Sequence, residues 1–295
     1  MKPLNWRSVK TLLGYNKTHP TRRIMHVDEL LAVPEMSAIA ENQWQSEPLI
    51  IPKDWAQGRT AFGGISAGMA YQAISTQVHD DRVLRSYTTN FVGPLLLNEP
   101  FTILVTCLRT GKNVSQYTGQ IIQNGQTCVF VQACFGMART SKIRVDNVET
   151  HEMPWPQKAK FIPQIPKVTP KFFQHFDLAI DDGGMPFTGK SGSHYHGFMR
   201  FKKAPQSISD AHLITMIDAW PPTLLQMLRW PAPASTVSWN LEFIHPHHEV
   251  SGTDWFAYKV HTRQAADGYG HTEATIWNSH NDVVALSRQT VAVFD

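Results

Sequence analysis

The stretch HLITMIDAWPPTLLQMLRW, residues 212–230, sets a single carboxyl, that of Asp218, among Leu213, Ile214, Met216, Ile217, Ala219, Trp220, Leu224, Leu225, Met227 and Leu228. Apolar residues on every side of a helical period predict a buried helix. An unpaired carboxylate there costs several kcal/mol, so Asp218 must be paired, hydrogen-bonded or protonated. Pro221 and Pro222 follow at once. Prolines inside a helix remove donors and free carbonyls about a turn upstream, which predicts an opened backbone near Asp218. An acid at such a point is a candidate site; a capped, satisfied structural Asp is the plainer alternative.

Working outward, residues 195–203 (YHGFMRFKK) read as a strand before this helix, and Ser209 or Asp210 as its cap. Four strand candidates follow: STVSWNLEFIHP, TDWFAYKVHTRQA, HTEATIWNSHN and VVALSRQTVAVF. They are rich in β-branched and aromatic residues and are separated by turn signals.

The same order of elements occurs earlier in the chain. A strand is expected over residues 47–55, and GRTAFGGISAGMAYQAISTQV then gives a small-residue helix after the tight Gly63-Gly64 turn. Four strands come next: LRSYTTNFVGP, FTILVTCLRTG, NVSQYTGQIIQNG and QTCVFVQACFGMAR. Residues 90–94 (NFVGP) answer residues 242–246 (EFIHP), and the QNG turn answers SHN. Two copies of strand, helix and four-stranded meander predict a duplicated α+β fold. Between them lies a semi-extended, proline-rich connection with Pro154, Pro156, Pro163, Pro166 and Pro170. The expected division is an N-terminal extension (1–40) with one or two short helices, a first unit (41–140), the connection (141–190) and a second unit (191–295).

Composition bounds the function. With 295 residues, 42% hydrophobic and 17% charged, the chain can build a substantial core. A net charge of +3 does not argue for nucleic acid. Lys2, Arg7, Lys10, Lys17, Arg22 and Arg23 precede the first acid, Asp28, but Pro3, Pro20 and the lack of an amphipathic run argue against a transit peptide. No apolar run is long enough for a signal core or a membrane span. Cys107, Cys128 and Cys134 lie in apolar runs without a CxxC, which fits small core residues in a reducing cytoplasm.

With these elements in place, the chain resembles the double hotdog acyl-CoA thioesterases of the acyl-CoA thioesterase II family. In a hotdog fold a curved antiparallel sheet wraps a central helix. The resemblance covers roughly residues 40–295 and is most specific in FGGISAGMA (62–70) and RTGKNVSQYTGQIIQNGQ (109–126). The family shows there a GG-containing helix start and a charged-Gly turn before a strand. It implies an Asp on the second hotdog helix, a Thr on the following strand and a Gln on the last strand, together positioning a water. Asp218, Thr236 and Gln289 match these three places in this sequence.

The internal repeat gives a separate check. Thr236 lies ten residues before Pro246, and the same count before Pro94 reaches Leu84. Gln289 lies eight after Asn281, and the same count after Gly125 reaches Ala133. The first-half helix position facing Asp218 is expected near Gly64 or Ile65. Polar groups would then stand only in the second half, as expected of a duplicated fold with one retained site.

The implied reaction is hydrolysis of an acyl-CoA to a fatty acid and CoA. Asp218 would be general base, water anchor or nucleophile, with backbone donors at Gly63, Gly64 or near Pro221 for the oxyanion. No cofactor and no metal are expected. His245, His247 and His248, or His194 and His196, lack an acid at ligand spacing. Residues 64–68 (GISAG) approximate a G-x-S-x-G, but at a helix start and not after a parallel strand. A hotdog hydratase would need an Asp and a His a few residues apart ahead of a helix, and no such pair stands in a matching place. The rival reading is a non-catalytic acyl-CoA or acyl-carrier binding protein. Chains are expected to pair further through sheet edges as homo-oligomers.

Overall fold

A computed structural model describes residues 24–157, 159–165 and 168–295. The basic N-terminal segment, Lys2 to Arg23, lies outside the described residues. The first described helix, α1 (Val27–Leu30), is one turn long. Strands β1 (Met36–Ala40) and β2 (Gln43–Ser46) follow, and a short β3–β4 hairpin (Ala56–Gln57, Thr60–Ala61) leads into helix α2 (Gly63–Ser75). The first meander is β5 (Arg82–Phe91), β6 (Thr102–Thr110), β7 (Val114–Gln123) and β8 (Gln126–Met137). After the proline-rich connection come β9 (Phe176–Gly183), β10 (His194–Phe201) and helix α3 (Asp210–Ile217). The second meander is β11 (Ala234–Phe243), β12 (Phe256–Ala266), β13 (Tyr269–Trp277) and β14 (Val283–Val293).

Twelve strands form one sheet in the order β1-β2-β6-β7-β8-β5-β11-β14-β13-β12-β10-β9. Every pairing is antiparallel, and β5 against β11 joins the two halves. The sequence explains the meander. In β7, Ser115, Tyr117, Ile121 and Gln123 are buried while their neighbours are more exposed, the period of a strand with one core face. Asn124 and Gly125 both take positive φ (52° and 75°), which closes the two-residue hairpin to β8.

Helices α2 and α3 lie side by side and antiparallel against the sheet, Gly64 against Thr215 and Gly68 against Ala211. A Cβ at Gly64 would come within 2.6 Å of Thr215 O, so glycine sets this spacing. Trp55 stacks on His175 (3.8 Å) and Phe62 on Phe172 (4.0 Å), which fastens the segment before β9 to the start of α2. The connection also covers the outer sheet face of the second half. Trp277 Nε1 donates to Glu149 O (3.0 Å), Lys259 Nζ to His151 O (3.2 Å), and Met153 is buried with Phe198 and Trp277.

Several expectations are corrected. The helix over 212–230 ends at Ile217, because Pro221 and Pro222 cannot donate; a 3-10 turn, Thr223–Gln226, takes up the rest. The strand over 47–55 is an irregular segment with a 3-10 turn at Lys53–Trp55. Met36–Ala40 and Phe176–Gly183, read as extension and connection, are strands at the two edges of the sheet.

Registers give the internal repeat a structural form. Thr88 faces Asn240 where β5 meets β11, and each strand bulges at equivalent places, Arg85 and Val237. Thr236 therefore answers Leu84. Gln289 pairs with Trp239 as Ala133 pairs with Tyr87, so Gln289 answers Ala133. On the helices, Asp218 faces the start of α2 at Gly63 and Gly64, while its counterpart by symmetry is another residue. Asp218 lies nine residues after the N-cap Ser209, and nine after the N-cap Phe62 is Tyr71.

Candidate active site

Asp218 is the C-cap of α3, at φ −75° and ψ −4°, with Ser209 and His212 forming a capping box at the other end. Because α2 and α3 run antiparallel, the C-terminus of α3 meets the N-terminus of α2. The carboxyl of Asp218 thus sits against Gly63 and Gly64. The Gly64 N–H lies close enough to favour its ionised form, and a Cβ at Gly63 would come 2.9 Å from Oδ2. A helix N-terminus carries partial positive charge and unpaired N–H groups, which favour an anion there.

Two strands supply the other polar groups. The bulge at Val237 shifts the alternation of β11: Val237 turns outward (41% exposed) and Thr236 faces the helices on the same side as Trp239. Bulges commonly re-aim a side chain in this way. Gln289 occupies the inward row of β14 beside Ser287, whose Oγ accepts from Trp239 Nε1 (2.9 Å). Gln289 Nε2 donates to Asp218 Oδ1 (3.3 Å), and Thr236 Oγ1 donates to Gln289 Oε1 (3.4 Å). The three side chains from one helix end and two strands therefore form one hydrogen-bonded chain.

Electrostatics single out the carboxyl. Burial pushes Asp218 up to about 7; the bonds from Gly64 and Gln289 oppose this and only partly offset it. The group keeps some accessible surface but is packed closely on all sides, and that packing dominates. A carboxyl that titrates near neutrality in an enclosed site can accept a proton from water.

Aromatic residues that sequence reasoning left unassigned stand close by. The Phe91 ring would touch a Cβ at Gly63. Trp220, two residues past Asp218, stacks on Tyr258, whose hydroxyl is held above its usual range by burial and by the charge of Asp218. The position of Trp220 next to the acid was the available signal; Tyr258 had none, since it is one of many aromatics on strands.

The pseudo-symmetric place in the first half is closed. Tyr71 O–H donates to Asp210 (3.0 Å), where Asp218 meets Gly64 in the other half. Leu84 and Ala133 are fully buried there. The other sequence candidates have separate roles. Ser66 Oγ donates to Gly63 O (2.7 Å) within its own helix. His245 and His247 stack on each other (5.0 Å), and His248 pairs with Asp282 (2.7 Å). Among the described residues, no three His, Cys, Asp or Glu side chains gather to hold a metal. No helix among them is long and apolar enough to cross a membrane.

Comparisons with known proteins agree with this architecture. Among curated proteins, none matches the chain. A solved conserved protein of unknown function with a hot dog fold, from Alicyclobacillus acidocaldarius, superposes with TM-score 0.75 at 20% identity, over 92% of this chain and 99% of that one. The acyl-CoA thioesterase II TesB2 of Mycobacterium marinum gives 0.68 at 16% identity, over 91% and 98%. The tesB protein of Mycobacterium avium subspecies paratuberculosis gives 0.67 at 14%, over 91% and 100%. At these identities the likeness establishes the hotdog fold. The family follows from sequence: residues 51–136 match the acyl-CoA thioesterase N-terminal domain and residues 148–293 the acyl-CoA thioesterase C-terminal domain. With both of its domains present in order, this chain belongs to the acyl-CoA thioesterase family.

Proposed function

We propose that the protein is a double hotdog thioester hydrolase that converts acyl-CoA to a free acid and CoA at one site per chain. The observation that carries this reading is the connected set Asp218–Gln289–Thr236 at the meeting point of the two helices. A water held between Thr236 and Asp218 attacks the thioester carbonyl, and Asp218 takes its proton. Negative charge then develops on the carbonyl oxygen, next to the positive end of α2 at Gly63 and Gly64. Collapse of the tetrahedral intermediate breaks the C–S bond, and the proton returns to the leaving CoA thiolate. No cofactor or metal enters these steps.

The sheet order supports two tandem hotdog units, divided by the proline-rich connection that precedes β9. Strands β1 and β9 end the sheet, and pairing of chains through these edges belongs to the proposal. Three free cysteines fit a reducing, cytoplasmic setting.

The test is release of CoA thiol from acyl-CoAs of increasing chain length, by the native protein and by Asp218→Asn. Turnover lost in the variant supports the assignment. Turnover that survives keeps the reaction and removes Asp218 from it. Binding of acyl-CoA without any turnover favours the non-catalytic binding protein.

A further inference from the structure

Next to the Asp218 carboxyl stands a group of three buried aromatic side chains from separate elements. Trp220 (6% exposed) leaves α3 just beyond Asp218, Tyr195 (0%) comes from β10, and Tyr258 (5%) from β12. The indole lies flat on Tyr258, with ring centres 5.2 Å apart and planes at 5°, and tilts against Tyr195 at 5.5 Å. Its far edge rests on β10, where a Cβ at Gly197 would come within 2.8 Å of it. The indole is therefore held in place and cannot turn its N–H to solvent.

Two polar atoms in this group have no hydrogen-bond partner: Trp220 Nε1 and the Tyr195 hydroxyl. Gln226 lies close to Tyr195, but its Oε1 accepts from Gly184 N (2.6 Å) and its Nε2 donates to His194 O (2.7 Å). The other tryptophans buried near the sheet are satisfied, Trp239 by Ser287 and Trp277 by Glu149. Buried donors are nearly always paired, and an unpaired one is costly, so two together beside a candidate catalytic acid call for an acceptor brought from outside.

We infer that this pair of donors receives a hydrogen-bond-accepting oxygen on the acyl group of the substrate, so that the site selects hydroxylated or oxo acyl-CoAs over plain saturated ones. The inference rests on the thioesterase reading and adds its substrate class. The two donors carry the discrimination. A site built to hydrogen-bond a substrate group rejects the analogue lacking it far better than an apolar wall rejects an added hydroxyl.

The experiment compares kcat/KM for matched pairs: hydroxybenzoyl-CoA against benzoyl-CoA, and hydroxy- or oxo-acyl-CoAs against saturated ones of equal length. The native protein is expected to favour the oxygenated member of at least one pair by about tenfold or more. Trp220→Phe keeps a ring on Tyr258 and removes the N–H; it should bring that ratio down toward one, because the oxygenated member loses more of its kcat/KM than the saturated one. Tyr195→Phe gives the same readout at the second donor. Equal rates within every pair, or an unchanged ratio in both variants, overturn the inference and leave the thioesterase standing. Failure to hydrolyse any acyl-CoA overturns both together.

Discussion

Replacing Asp218 by Asn is expected to separate function from stability. In the folded protein the carboxyl titrates near 7, against a usual 3.8. The folded state thus binds the proton more tightly than the unfolded chain does. The contribution of this group to stability is then greatest below about pH 4, falls as pH rises, and levels off above about pH 7. At about 1.4 kcal/mol per pH unit, the whole interval corresponds to roughly 4 kcal/mol. The partial access of Asp218 to water reduces this to about 2 kcal/mol. Asn keeps an oxygen for the Gly64 and Gln289 donors but has no charge to bury. The variant should therefore match the native protein below about pH 4 and exceed it by about 2 kcal/mol near pH 8 in urea unfolding, with thioester hydrolysis lost. Native and variant stabilities that change in parallel with pH would refute the raised carboxyl and with it the proposed base.

Other outcomes follow from the same geometry. The native kcat/KM for acyl-CoA should rise with pH through an apparent pKa near 7, as Asp218 gives up its proton; a flat pH profile would count against it as base. Thr236→Val and Gln289→Ala should each lower kcat by about a hundredfold, with little change in melting temperature, because they hold the water and the acid but no core. Gly64→Ala drives a methyl into Thr215 O and the Phe62 ring, and should cost about 1–3 kcal/mol in denaturant unfolding. Tyr71→Phe leaves the half-buried Asp210 carboxyl without its donor, and should lower stability by about 1–2 kcal/mol without touching the second-half site.

Much of the fold was legible because it depends on local patterns. Alternation and turn residues found all eight meander strands, and the repeat placed Thr236 opposite Leu84 and Gln289 opposite Ala133. Asp218 stood out as the only acid in an apolar run. Helix length was misread, since the apolar run continues past Pro222 in a 3-10 turn whose burial resembles that of a helix. Counting along strands fixes register, but α3 starts at its own cap, and only the caps align Asp218 with Tyr71. The edge strands Met36–Ala40 and Phe176–Gly183 carry little alternation, because an edge strand has fewer buried neighbours to demand it. The aromatic group around Trp220 depends on three distant segments meeting in space, which no local pattern announces.

The antiparallel contact of α2 and α3 also bears on how such a chain can evolve. The acid belongs to the second half, while the N–H that favours its charge and the glycine that makes room for it belong to the first. After a duplication, one copy ordinarily drifts free once the other keeps the activity. Here neither copy is free: a change at Gly63 alters the surroundings of an acid 155 positions away in the sequence. Substitutions in the two halves should therefore be inherited as matched sets, and exchanging one half for that of a distant relative should fail more often than exchanging both.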